Sequence, residues 1–174
     1  LQTLVAFDAG NCDVIKLQDL DRDGRQEVVA WDDSFAYYDY SFSASPWLPL
    51  ILRYHRGRYV DATSRYSRLV EQDQAKAKKR LKEALSRKII QGKEIPSDEE
   101  HQRVWQRDEI RSAAVNIYGD AVIMGATGSA QGWLQEHLPE IHWKWFLRAR
   151  RDIEMTVAQR RQRLGYTPAR VQYR

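Results

Sequence analysis

"VIKLQDLDRDGRQEVVAW", residues 14–31, sets two short apolar runs on either side of an acidic turn. "DVIKL" (13–17) and "EVVAW" (27–31) are rich in β-branched residues and too short for good helices, so each is expected to be a strand. The turn therefore joins strand to strand. Within it Asp19, Asp21 and Asp23 stand at alternate positions, Gly24 follows, and Glu27 comes three residues later. Oxygen ligands at positions 1, 3, 5 and 9 of a tight loop can surround a calcium ion, a hard cation that takes roughly 6–8 oxygens. On this spacing Asp19, Asp21, Asp23 and Glu27 supply carboxylates, and Arg25 supplies its backbone carbonyl. Gly24 permits the sharp bend between them. Four carboxylates crowded without a cation would repel one another, which is the physical reason to expect one. An EF-hand is disfavoured on two counts: the flanks are expected to be strands, and the position that needs a bidentate glutamate is Ala30.

An apolar strand leading into D-x-D-x-D-G-x-x-D/E, with a second apolar strand leaving it, resembles the calcium loop of FG-GAP and VCBS-type repeats, the blades of integrin-like β-propellers. The later "LILRYHRGRYVDAT" (50–63) is similar to the closing hairpin of such repeats. The resemblance covers about residues 13–63. A propeller needs about 4–8 blades, and one unit is present, so a propeller is not expected. The alternatives are a single blade-like sheet capped by helices or a piece of a longer chain. The resemblance implies an extracytoplasmic protein, periplasmic or secreted, where millimolar calcium suits a loop of modest affinity.

Outward from the loop, "TLVAF" (3–7) is expected to be a strand and "FAYYDYSFSASPW" (35–47) an irregular excursion. "PLILRYHRGRYVDAT" (49–63) predicts a hairpin with strands 50–54 and 58–61 about Gly57. From Tyr66 the period changes. Val70, Ala77, Leu81, Ala84, Leu85 and Ile89 fall at helical spacing. Gly92 and Pro96 end that helix, and Ser97 three before Glu100 forms a capping box for the next. Ile110, Ala113, Ala114, Ile117, Ala121 and Met124 predict one apolar face on it. Ser129 is placed to cap a short helix through Leu138. Pro139 fits the first turn of a last helix to about Leu164, with Phe146, Ile153, Val157 and Leu164 inward. The fold class is thus α+β: a small antiparallel sheet with one calcium loop in residues 1–63, then a basic helical region of about four helices, 64–174, packed on it.

Charge follows the same division. Residues 1–62 carry 6 Lys+Arg against 10 Asp+Glu, and residues 63–174 carry 22 against 14. Hydrophobic residues make up 43%, enough for a core. Cys12 is the lone cysteine, which excludes an internal disulfide and a multi-cysteine zinc site. The start, "LQTLVAF", lacks the basic segment of a signal peptide and is expected to be internal or processed. His137 and His142 stand five apart with Pro139 between, unlike the i, i+4 pair of helical zinc sites, and are expected at the surface. No nucleophile motif or phosphate loop is present, so no constellation supports an enzyme. In "IHWKWFLRARR" (141–151), Trp145 lies roughly 100° from Phe146 on a helical wheel. Trp145 and Arg148 are therefore expected to form a partner surface, for protein or a membrane headgroup. Interleaved acids argue against nucleic acid. The function expected is a non-catalytic calcium-binding module. The alternative is a basic helical adaptor, a subunit of a membrane-associated assembly, with calcium incidental.

Overall fold

The computed structural model describes residues 16–89 and 97–164. Cys12 and the strand expected at 3–7 lie outside the described residues. Four strands come first: β1 (Lys16–Gln18), β2 (Glu27–Asp32), β3 (Leu48–His55) and β4 (Arg58–Asp61). They form one antiparallel sheet in the order β1-β2-β3-β4. Four helices follow, α1 (Ser67–Ser86), α2 (Ser97–Met124), α3 (Thr127–His137) and α4 (Glu140–Leu164). The α+β arrangement is as the sequence predicts.

Register explains the sheet's small apolar cluster. Val28 pairs with Leu52 and Ala30 with Leu50, and these four are buried together with Tyr59 and Leu164 packed against them. The β3–β4 hairpin turns at Arg56 and Gly57, both at positive φ. Gly57 takes that backbone without a Cβ penalty.

The main core joins both parts of the chain. Phe35, Tyr40, Ala44 and Leu48 are buried in the same cluster as Val70, Leu81, Ile117 and Phe146. α2 is its centre. The sequence predicts one apolar face on this helix, but Val115, Tyr118 and Ile123 are buried beside the expected Ile110, Ala113, Ala114, Ile117 and Ala121. Even Ser112, Asn116 and Asp120 are buried. The reason is position: α2 packs against α1, α3, α4 and β3 at once. At Gly119 a Cβ would come within 2.7 Å of Leu48, so glycine allows β3 to approach the helix closely.

Helix ends differ from expectation in two places. α1 ends at Ser86 with Arg87 as its C-cap, short of the expected Ile89, and the expected stops Gly92 and Pro96 lie outside the described residues. α3 starts at Thr127 with Ala126 before it, so Ser129 lies inside the helix, its hydroxyl donating to the Ala126 carbonyl. α2 does begin at Ser97, whose side chain lies outside the described residues. Pro139 precedes α4, and its carbonyl accepts the N–H groups of His142 and Trp143.

α4 is clamped to the sheet by a buried arginine. Arg160 is 1% exposed. Its guanidinium lies 3.2 Å from Asp32 at the end of β2 and 3.3 Å from Asp61 at the end of β4, and donates to the Pro49 carbonyl. Asp32 also accepts from Ser34, and Asp61 from the backbone and hydroxyl of Thr63. Charges this deep persist only when paired and hydrogen-bonded.

Candidate metal centre

The acidic loop spans residues 19–26 between β1 and β2, closing where Gln18 pairs with Glu27. Its shape is set by its own aspartates. Asp19 accepts the N–H groups of Asp23 at 3.1 Å and Gly24 at 3.0 Å. Asp23 accepts the N–H of Arg25 at 2.9 Å. Gly24 sits at φ 82° and Arg22 at φ 60°, the left-handed backbone that such a bend requires. Tyr59 on β4 donates to the Gln26 carbonyl at 3.0 Å, fastening the loop's end to the sheet.

Glu27 opens β2 but turns back under the loop and is fully buried. One of its oxygens accepts the N–H of Leu20 at 2.8 Å. The other, Oε1, is buried with no hydrogen-bond donor. Ligand atoms of Asp19, Asp21 and Glu27 lie within 4.8 Å of one another, and no other such cluster occurs among the described residues.

The structure thus gathers three of the predicted carboxylates. It adds a group that the loop's spacing does not disclose, Arg53 on β3. Its guanidinium is 3.3 Å from Asp21, bonds Asp23, and stands 3.7 Å from Glu27. Asp23 is accordingly turned towards Arg53 and the Arg25 amide. Arg25 itself lays its guanidinium 5.9 Å from the centroid of the Tyr54 ring. The signal for Arg53 lies in strand register: Val28 opposite Leu52 carries Glu27 opposite Arg53. Burial works against the charge of Arg53, but Asp21 and Asp23 outweigh it and raise its pKa. Tyr66 is held neutral, its pKa raised first by burial and then by Glu27 and Asp21.

The donor set fits a hard cation. It is all oxygen, it carries four carboxylates against one guanidinium, and Glu27 Oε1 is a buried acceptor that makes no hydrogen bond, with Arg53 Nε 3.7 Å away. An unmet buried polar atom is costly, of order 1–3 kcal/mol.

The second expected site is corrected in part. Trp145 is buried, not a surface residue. Its indole N–H donates to Asp39, and the Arg111 guanidinium lies 5.0 Å over its ring. The cause is the excursion 35–47, which covers the flank of α4 that a helical wheel leaves open. Tyr38 in it bonds Asp152, and Asp39 meets both Trp145 and Arg111. Arg148 is exposed as expected. His137 stacks on Trp133 at 3.9 Å, whereas His142 faces Arg111 and Arg107 and its pKa is lowered by burial and then by those charges. The two histidines serve different surroundings.

Comparison with protein-family models, curated proteins and solved structures finds no match to this chain.

Proposed function

We propose that the β1–β2 loop holds one calcium ion and that the chain is a non-catalytic, calcium-stabilised binding module working outside the cytoplasm. The observation that carries this is Glu27 Oε1, buried and making no hydrogen bond beside the carboxylates of Asp19 and Asp21. Also in support is the resemblance to FG-GAP and VCBS-type loops, with a four-stranded antiparallel sheet around the loop, the size of one propeller blade. Bound calcium supplies counter-charge. Asp19, Asp21 and Glu27 hold it, and Asp23 and the Arg25 carbonyl complete the set predicted from spacing. An ion that binds only the folded state stabilises it, by about 2.7 kcal/mol at a hundredfold excess over Kd. The partner is a protein, met on the outer side of α4 where Ile141, Leu147 and Arg148 are exposed.

A second reading has its own observation. Arg53 already neutralises part of the loop, so the loop could be a purely structural acidic turn and the chain a helical adaptor for which calcium is incidental. Calorimetry with calcium and with magnesium separates the two. The proposal expects calcium binding with a rise in melting temperature, and weak magnesium binding, because magnesium demands near-ideal octahedral geometry and dehydrates reluctantly. Asp21→Ala should lower the calcium-loaded melting temperature and leave the apo value nearly unchanged. No heat and no thermal shift at millimolar calcium would leave the second reading standing.

A further inference from the structure

A separate cavity of about 420 Å³ opens where β2, the approach to β3, α1 and α2 meet. Its wall carries two indoles, Trp31 and Trp47, together with Lys76 and Arg80 from α1. Lys76 and Arg80 are one turn apart, so both reach the same side of the helix. The Trp47 Nε1–H is buried and has no acceptor among the described residues, a state that is costly unless something completes it.

The polar side of the cavity is built from within. Asn116 on α2 lines it, and its carbonyl oxygen accepts from Arg80. Its amide nitrogen donates to Asp73 at 2.9 Å and to Asp120 at 3.1 Å. Asp120 is fully buried, with its second oxygen lacking a donor. Two carboxyls on one amide cannot both ionise at low cost. Burial first, and then Asp73, raises the pKa of Asp120 well above its ordinary value. Among the side chains lining the cavity, Lys76 and Arg80 are set against one carboxylate, Asp73. The cavity carries a net positive charge of one.

We propose that this cavity binds a small monocarboxylate with a flat apolar body. Lys76 and Arg80 hold the carboxylate, and the ring lies against Trp31 and Trp47. The planar guanidinium of Arg80, oriented by Asn116, suits a planar carboxylate. Indole faces suit a flat apolar ring. A dianion such as a phosphate monoester would bring a second negative charge towards Asp73, and a neutral ring would leave both cations unmet. The site is independent of the acidic loop.

The test uses the full chain and follows the indole N–H resonances of its six tryptophans, with Trp31 and Trp47 assigned by Trp→Phe variants. Benzoate is the probe, and benzyl alcohol and phenyl phosphate are the controls. Benzoate is expected to shift the Trp31 and Trp47 signals saturably and leave the other indoles in place. Lys76→Gln and Arg80→Gln should each weaken benzoate by about tenfold. Lys76 is exposed and outside the Asn116 network, so its variant keeps the test decisive should Arg80→Gln disturb packing. Several results would overturn the proposal: no saturable shift, a shift spread evenly over all the indoles, equal binding of benzyl alcohol, tighter binding of phenyl phosphate, or an unchanged affinity in folded Lys76→Gln.

Discussion

Replacing Arg53 by glutamine should move calcium affinity and apo stability in opposite directions. Arg53 touches Asp21 and Asp23 and stands 3.7 Å from Glu27, so it and a loop cation answer the same carboxylates. A calcium ion held by those oxygens would lie about 5 Å from the guanidinium, given metal–oxygen distances of ~2.4 Å. Two positive charges against one at that separation repel by about 1.7 kcal/mol in a water-like dielectric, and by more in a drier one. The loop is open: the side chains of Arg53 and Asp21 are 21% and 33% exposed. The lower figure is therefore the one to use, and it corresponds to a gain of roughly tenfold in calcium affinity for Arg53→Gln. Without calcium the effect reverses. The pairs with Asp21 and Asp23 are partly exposed and contribute about 0–1 kcal/mol together. Glu27 is buried and would lose its nearest cation, a further cost of order 1–3 kcal/mol. Urea unfolding in EDTA should show the variant less stable by about 2 kcal/mol, and calorimetry should show calcium bound more tightly. A variant that binds calcium more weakly than the parent would refute the competition. Arg53 would then be an orienting neighbour of the ligands, not a rival of the ion.

Trp145→Ala should behave as a core truncation, costing about 3–5 kcal/mol in urea unfolding, whereas Arg148→Ala on the exposed side should change stability by no more than about 0.5 kcal/mol. Arg160→Ala should cost about 3–5 kcal/mol, because it leaves Asp32 and Asp61 buried without their cation; a loss under about 1 kcal/mol would mean that the pair is solvated. Asp120 sets a pH dependence. Its folded pKa is raised above the ordinary 3.8, so its contribution to stability is fully present below that value and is lost as pH rises through the folded pKa. Asp120→Asn keeps the shape without the titration, so its unfolding free energy should fall less between pH 4 and 7 than the parent's; equal slopes would count against a buried neutral acid.

β2, the β3–β4 hairpin and the helices were legible because each rests on local pattern: a β-branched run after the loop, apolar residues about Gly57, and apolar residues at helical spacing after Tyr66; of the run expected at 13–17 only Lys16 and Leu17 lie among the described residues, in β1. The loop's carboxylates were legible for the same reason, being close in sequence. Arg53 was not, because it reaches the loop only through the β2–β3 register, which depends on how residues 33–47 are traversed. Trp145 was misjudged for a related cause. A helical wheel assigns one inner side, but α4 is covered on a second side by Asp39 and Tyr38, from a segment with no regular period. The Arg160 clamp reaches Asp32, 128 residues away, and its sequence neighbours are those of a solvated basic helix end. Short-range chemistry is written in spacing, whereas charges that meet across the fold become visible only once the layers are assembled.

Two acidic groups in this protein each gather about an arginine, and burial separates their roles. At Arg160 the arginine and Asp61 are each 1% exposed, one Asp61 oxygen takes both donors of Thr63, and one Asp32 oxygen takes both donors of Ser34. Neither water nor an ion can exchange there without opening the interface between α4 and the sheet, so the clamp is structural. At Arg53 the side chains of the arginine, Asp21 and Asp23 are partly open to solvent, and Glu27 alone is buried. Glu27 Oε1 makes no hydrogen bond and meets Arg53 Nε only at 3.7 Å, much as Asp61 Oδ2 meets Arg160 Nε at 3.3 Å without one. β2 carries both arrangements, Glu27 at its first residue and Asp32 at its last. One end of the strand is sealed to the helices, and the other end presents an acidic cluster partly open to solvent. That asymmetry is the physical basis on which we propose ligand chemistry at the loop and assign the buried pairs at Arg160 to the fold.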